Sequence, residues 1–410
     1  MKRYEDLSPS QRCIMTPGPV EVDPRVLRAM SFPVLGQFDP EFTSIMNETM
    51  EMLRELFATR NSWAYPIDGT SRSGIEAVMV SLILPGERVL IPIFGRFGHL
   101  LHEIAERCGA EVFVLEKPWG SVFEPDEVIA VMETFKPHVV AMVHGETSTG
   151  RVQPLAEIGR ACRRMDALFI VDAVATIGGI PVETDAWMLD AVVGGTQKCL
   201  SVPSGMAPIT YNDRAEAKLM TRKRVERGIR TSDVQPGDLS FVRSNYFDLG
   251  MLQDYWSPQR LNHHTEMTSM LYALREGLRL TLEEGLDARF ARHILHEKAL
   301  VAGLTAMGLE LYGDPSCKLT VVTCVLIPEG IDGEAVRSLL LGRFGIEIAS
   351  SFGPLKGRIW RIGTMGFSCR ENNVLRLLGA LEAALQRHGF KGPCGFGVQA
   401  ALDVYEAKVR

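Results

Sequence analysis

Lys198 ends a strand-like run, Asp190-Ala191-Val192-Val193-Gly194-Gly195-Thr196-Gln197, and Asp172 closes the apolar run Leu168-Phe169-Ile170-Val171, 26 positions earlier. A lysine amine carried on a Gly-Gly-Thr-Gln approach can condense with a carbonyl carbon. An acid at the carboxyl end of a buried strand can hold a protonated pyridine nitrogen by its charge. Two unit charges about 4 Å apart attract by roughly 4 kcal/mol at an effective dielectric of 20, which is roughly three pKa units on the pyridine. The two side chains together suit pyridoxal 5'-phosphate (PLP) as cofactor. Each also has an ordinary reading: an aspartate after a strand can cap the next helix, and a lysine can be a solvated surface charge.

The stretch Asp68-Gly69-Thr70-Ser71-Arg72-Ser73-Gly74 leads into Ile75-Glu76-Ala77-Val78-Met79-Val80, an amphipathic helical pattern. Gly and Ser at a helix opening expose N–H groups at its positive end, so the loop can cradle a phosphate with Thr70 and Ser71 as hydroxyl donors; the same letters also make an ordinary N-capped turn. Phe94 follows the strand-like run from Arg88 to Pro92 and can stack on a pyridine ring or fill the core. His144-Gly145-Glu146-Thr147-Ser148-Thr149-Gly150 follows another such run and offers hydroxyls to a cofactor's phenolic oxygen. Arg361, between apolar Trp360 and Ile362, wants a carboxylate, and either a bidentate substrate or a structural ion pair would supply one.

Elements that could position these residues alternate along the chain. Strand-like runs at 88–92, 111–115, 138–143, 168–171, 191–193 and 207–211 are separated by helix-length segments, which means βαβ units, an α/β fold and a mainly parallel sheet with ligands beyond its carboxyl edge. Helical spacing of Met267, Met270, Leu271, Leu274 and Leu278 predicts a long helix over 265–284. Beyond it, strands near 320–327 and 359–363 and helices near 332–344 and 371–388 read as a smaller α+β unit. At 410 residues the chain is long for one core, and it divides into a Pro-rich arm or entry loop (1–23), a large domain (24–284) and a small domain (285–410).

Composition excludes several classes. A net charge of -6 argues against a nucleic-acid partner, and the basic cluster from Arg222 to Arg230, broken by Glu226, is expected to cover a helix end or the site's rim. No apolar run approaches the roughly 20 residues that span a bilayer, and the opening MKRYEDLSPSQR lacks the hydrophobic stretch of a secretory leader. Eight scattered cysteines with no CxxC pair predict neither disulfides nor a metal site, and a reduced cytoplasmic setting. Cys199, beside Lys198, reads better as a small buried hydrophobe than as a catalyst.

The ordered motifs DGTSRSG, HGETSTG, LFIVDAVATIGG, GGTQKCLSVPSG, NHHTE and IWRIGTMG resemble the class V, fold-type I PLP aminotransferases of the alanine-glyoxylate group over essentially the whole chain. Within that group the likeness is greatest to the branch that takes (S)-ureidoglycine as amino donor and glyoxylate as acceptor in bacterial purine catabolism. The resemblance implies a seven-stranded sheet, Lys198 as the cofactor-linked lysine and Asp172 as the pyridinium partner. It places Gln197 and Thr147 near the ring oxygen, Phe94 on the ring face, Thr70, Ser71 and Arg72 on the phosphate, and Arg361 on the substrate α-carboxylate. Thr265 matches a residue that reaches the phosphate of the neighbouring subunit, so the resemblance implies a homodimer with shared active sites.

The sequence departs from the group at one informative place. Alanine-glyoxylate enzymes commonly carry a tyrosine before His-His-Thr, where this chain has Asn262, and Gln37 lies in the early loop that lines the site in the family. Two amides match a ureido group, with its carbonyl acceptor and N–H donors, better than a methyl group. The expected reaction is therefore transfer of the amino group of (S)-ureidoglycine to glyoxylate, giving oxalurate and glycine. Its nearest rival is alanine- or serine-glyoxylate transamination, and behind that a desulfurase-type lyase, for which Cys369 is the only loop cysteine to consider.

Overall fold

The computed structural model describes residues 4–226, 228–229 and 241–409. Its strands, in chain order, begin with β1 (Cys13–Ile14), β2 (Trp63–Gly69), β3 (Arg88–Ile93), β4 (Glu111–Glu116) and β5 (Val139–Val143). The short β6 (Gly145–Glu146) and β7 (Arg151–Val152) flank the turn at 147–150, and β8 (Leu168–Asp172), β9 (Ala191–Val193) and β10 (Gly205–Tyr211) follow. The last four are β11 (Val322–Leu326), β12 (Ile346–Glu347), β13 (Ala349–Ser350) and β14 (Ile359–Gly363).

The main sheet has seven strands in the order β2-β10-β9-β8-β5-β3-β4. Strand β10 is antiparallel to both β2 and β9, and the other pairs are parallel. The central strands β5, β8 and β9 are buried along their whole length, as strands covered on both faces by helices must be. Because β10 reverses twice, β2, β9, β8, β5 and β3 all point the same way. Their carboxyl ends form one edge, where Asp172 sits in register between Val143 and Val193.

The six strand-like runs in the first part of the chain all form strands of this sheet. The seventh, β2, escapes a reading by pattern because Pro66 and the penultimate Asp68 interrupt its apolar run; Pro66 is tolerated because β2 is the sheet's edge and pairs only with β10. The helix expected over 265–284 begins instead at Thr268 and ends at Glu284, after which Gly285 turns the chain into a second helix, Leu286–Ala306. Residues 265–267 stay outside it because His264 and Glu266 are drawn into an ion cluster with Asp68.

Two large apolar cores account for most of the packing. One joins Val26 to Leu278 around the seven-stranded sheet, and the other joins Ala299 to Tyr405 around β11, β14 and the helix Glu371–Arg387. The first residues depart from the expected arm: Cys13 and Met15 are buried in the second core, and β1 pairs in parallel with β12. The period of extended chain is the reason, since Cys13 and Met15, two positions apart, share the face turned to that core while Ile14 is only half-buried.

Arg222 does cover a helix end. It is buried, and its guanidinium donates to the carbonyls of Val80, Ser81 and Ile83 at 2.9, 2.7 and 3.0 Å, the free acceptors at the end of the helix Ser71–Leu82. Arg227 and Arg230 of the same basic cluster lie outside the described residues. Among the described residues no helix is long and apolar enough to cross a membrane.

Candidate active site

A cavity of about 250 Å³ opens at the carboxyl edge of the sheet and is lined by Thr70, Ser71, Arg72, Thr147, Asp172, Gln197 and Lys198, with Phe97, Val174 and Ala175 as its apolar wall. Sequence positions from 70 to 198 thus converge because parallel strands deliver their following loops to one edge. Among the described residues, two larger grooves, one lined by Asp23 and Glu371 and the other by Ala29 and Glu276, contain no lysine.

Ser71 opens the helix Ser71–Leu82 and its hydroxyl donates to Gln197 Oε1 at 2.9 Å, tying the Gly-Thr-Ser loop to the Lys198 approach. Thr70 is the N-cap residue, yet its hydroxyl caps nothing, and the first turn carries no acidic side chain. The positive end of this helix therefore faces the cavity with no internal anion on it. Gly74 brings that helix onto the sheet: a Cβ there would lie 2.6 Å from the Cβ of Ala207.

Asp172 accepts a hydrogen bond from the Val174 backbone N–H at 2.9 Å, so it turns the chain after β8 and lines the cavity at once. Burial first, and then the charge of Glu146, raise its pKa to about 6, against the Val174 N–H and Lys198. At neutral pH it is still a carboxylate. Lys198 is shifted the other way, down to about 8, by burial and then by the Arg361 guanidinium, with Cys199, Asp172 and Glu146 opposing. Its ammonium donates to the Pro17 carbonyl. Gly18 lets the entry loop come this close, since a Cβ there would fall 2.3 Å from Lys198 Cδ, and its φ of +102° suits glycine alone.

Arg361 is 7% exposed and donates from Nε to the Ser350 carbonyl at 2.7 Å and from one terminal nitrogen to the Thr147 carbonyl at 3.1 Å. Phe352 lies 4.6 Å from the guanidinium carbon and holds its plane. Both acceptors are neutral. Among the described residues no carboxylate stands within ion-pair distance, so the structural ion pair that would explain a buried arginine is not made.

Other expected residues fall less simply. Phe94 is fully buried, packs edge-to-face on Phe123 with centroids 6.3 Å apart, and is not among the residues lining the cavity. Gln37, Asn262 and Thr265 also lie off the cavity wall of their own chain. Gln37 Nε2 nevertheless donates to Asn262 Oδ1 at 3.0 Å, so the two amides expected to act together are in contact. Gln37 Oε1 is buried without a partner.

One site residue escaped the reading by motif. Glu146 is fully buried and accepts from the Ser148 hydroxyl at 2.6 Å, the Ser148 N–H at 3.0 Å and the Phe97 N–H at 2.8 Å. It thereby fastens the Thr147 turn to the helix Arg96–Arg107. An acid among Thr and Ser reads as solvated, and only the all-apolar strand before it hints at burial. Cys199 has the expected structural role: it is buried, donates weakly to the Ala175 carbonyl at 3.4 Å, and burial pushes its thiol up to about 12. Cys369 is equally buried and pushed up to about 12, which leaves it a neutral thiol and not a nucleophile on a mobile loop.

The donor set fits PLP on the observations just given: a buried carboxylate with no cation partner in an ion pair, an amine of lowered pKa, and an uncapped helix start with two hydroxyls. The chain belongs to the class V aminotransferases, whose family model matches residues 33–355. It is 67% identical over 409 residues to the (S)-ureidoglycine–glyoxylate transaminase of Bacillus subtilis (strain 168), covering 99% of this chain and 98% of that one. The crystal structure of the ureidoglycine-glyoxylate aminotransferase of Bacillus subtilis superposes with a TM-score of 0.93 at 66% identity, over 98% of this chain and 100% of that one. The alanine–glyoxylate aminotransferase of Nostoc sp. is more distant, with a TM-score of 0.88 at 38% identity over 94% and 98% of the two chains.

Proposed function

We propose that the chain is a PLP-dependent aminotransferase that carries the amino group of (S)-ureidoglycine to glyoxylate, giving oxalurate and glycine, in purine catabolism. The observation that carries the chemistry is the meeting of Lys198, Asp172 and the Thr70–Ser71–Arg72 helix start on one cavity. The choice of donor is supported by 67% identity along nearly the full chain with a ureidoglycine enzyme and by the amide pair Gln37–Asn262. PLP bound here supplies an electron sink for the carbanion left when a substrate Cα loses its proton.

The residues divide the remaining work. Asp172 would hold the pyridine nitrogen protonated by its charge, and Thr70, Ser71 and Arg72, at the helix start on the cavity wall, would anchor the phosphate. Gln197 and Thr147, both on the cavity wall, would stand near the ring oxygen, whereas Phe94, expected on the ring face, packs against Phe123 off that wall. Lys198 would hold the cofactor at rest and, as a free neutral amine, would take the proton from Cα of the amino donor in one half-reaction and deliver one to Cα of the glycine formed from glyoxylate in the other; its lowered pKa makes the neutral form accessible near pH 8. Arg361 orients donor and acceptor by the carboxylate they share. Arg361→Ala should accordingly raise KM for both substrates by about ten- to a hundredfold, the worth of a charge-assisted hydrogen bond. Separate measurement of the two half-reactions checks this, and a loss confined to one of them removes Arg361 from the shared carboxylate site.

We further infer a homodimer in which the loop of Gln37 and the segment Asn262–Thr265 serve the second copy's site. Phe32, Val34 and Phe38 on that loop are 56%, 72% and 55% exposed, an apolar surface that a partner copy would cover. The eight cysteines are all free thiols, in keeping with a cytoplasmic setting.

A panel of amino donors against glyoxylate tests the reading, with ureidoglycine expected to exceed alanine and serine in kcat/KM. The specificity arm is Asn262→Tyr, the residue common in the alanine-glyoxylate group. It should shift the ratio of efficiencies toward alanine by at least about tenfold, about 1.4 kcal/mol, because a site built to hydrogen-bond leaves its own groups unpaired with a methyl. Equal losses for both donors would take Asn262 out of donor recognition.

A further inference from the structure

The segment from Ser257 to Met267 joins two helices without regular structure, yet it carries Asn262 and Thr265. Among the described residues, the backbone N–H groups of 262–265 find no backbone carbonyl. Side chains must hold the segment in place. The strongest tether is His264, whose Nε2 lies 3.2 Å from Asp68 Oδ2 and 3.6 Å from Glu266 Oε2, with the three side chains 10%, 3% and 1% exposed. Asp68 is the penultimate residue of β2, two positions before Thr70.

We propose that His264 is a positioning residue whose imidazolium, held by Asp68 and Glu266, locks the Asn262–Thr265 segment to the strand end that carries the phosphate loop. The proposal deepens the reading above and rests on its assignment of Asn262 and Thr265 to donor and phosphate.

The charges are arranged for this. Two buried carboxylates repel each other unless a cation stands between them, and a protonated imidazole is the cation already present. Burial opposes protonation of His264, but the closeness of the Asp68 and Glu266 carboxylates outweighs it and raises its pKa to about 9. His263 is held down to about 4 by burial and by His264, so its neutral ring accepts at Nδ1 from His264 Nδ1–H, 2.8 Å away. That bond turns the remaining N–H of His264 toward the carboxylates. Tyr246 and Tyr255 close the cluster with ring centroids 5.6 and 4.7 Å from His264, and Arg260, near enough to feel the charge of Glu266, is a further cation beside it.

Protonation of His264 makes the lock dependent on pH. Between about pH 7, below which burial and Asp68 make Glu266 itself take a proton, and about pH 9 the imidazolium neutralises one carboxylate; above that the neutral ring leaves both unpaired and the segment loosens.

The test uses the full chain stripped of cofactor, with PLP affinity measured by equilibrium dialysis in the absence of substrates, alongside steady-state KM and kcat. His264→Ala should weaken PLP binding and raise KM for the amino donor by about tenfold each, with kcat changed much less, since a charge-assisted contact is lost at a distance from the reacting atoms. His264→Gln keeps a donor without the charge and guards against misfolding. The ratio of its PLP dissociation constant to that of the parent chain should be well above one at pH 7.5 and approach one well above pH 9, where the parent imidazole is neutral too. Unchanged PLP affinity and KM in both variants, with only a lower unfolding temperature, would reduce His264 to a structural ion pair and overturn the proposal. Should another amino donor prove to be the substrate, the dialysis arm would still decide the lock.

Discussion

Lys198→Ala is expected to lower kcat/KM by at least about 10⁴-fold, because the proposed function asks one side chain both to hold the cofactor covalently and to transfer the proton at substrate Cα. The mutant should lose the visible absorbance of the lysine-bound cofactor, and borohydride should no longer fix PLP to the peptide that contains Gln197 and Cys199. Among the cavity-lining residues Lys198 is the only lysine, so no neighbour can take over. The cofactor-free parent chain adds a second readout. With its pKa near 8, Lys198 is mostly charged at pH 7 and mostly neutral at pH 9, so the rate of covalent loading should climb through this interval. A visible spectrum unchanged in the mutant would mean that another amine carries the cofactor. A flat loading rate would mean that deprotonation of Lys198 does not limit the reaction.

That these two side chains share a cavity was legible in the sequence for a topological reason. Asp172 and Lys198 each follow a short apolar run, and such runs, spaced by helix lengths, become parallel strands whose ends share an edge. Asp172 and Lys198 could be brought to that edge by spacing, but the roles of Gln197, Thr147 and Arg72 came from the resemblance, and Phe94, which also follows a strand, packs off the cavity wall. Contacts across the chain could not be placed by spacing. Gln37 and Asn262 are 225 positions apart and meet only because two irregular segments come together, which no periodicity encodes. The strand β2 was hidden by Pro66, the burial of Cys13 and Met15 by the proline-rich run after them, and the role of Glu146 by its polar neighbours. The early start expected for the helix at 265 shows the same limit. Apolar spacing continues up to Met267, but the ion cluster of His264, Asp68 and Glu266 outcompetes the extra helical turn, and one member of that cluster is nearly two hundred residues away.

Asp172→Asn is the second variant with a large expected effect, a fall of about 10³-fold in the rate of each half-reaction. The asparagine oxygen can still accept from the Val174 N–H, so the turn after β8 is retained and the main sheet should be undisturbed. What disappears is a negative charge in a buried site. At about 4 Å and an effective dielectric of 20 that charge is worth roughly 4 kcal/mol to a pyridinium, or roughly three pKa units, which sets the expected loss. PLP should still bind through Lys198 and the Thr70–Ser71–Arg72 cradle, so retained visible absorbance with lost turnover is the signature. The parent chain predicts its own pH limit by the same logic. Burial raises Asp172 to about 6 in the cofactor-free protein, so acidification through that value neutralises the carboxylate and should weaken PLP capture, whereas Asp172→Asn should lack this component of the pH dependence. Half-reactions followed in stopped flow, with PLP titrations between pH 5 and 8, check both points. Near-normal rates in the variant would show that the pyridine nitrogen does its work without a charged partner, and Asp172 would then be a turn-forming residue at the end of β8.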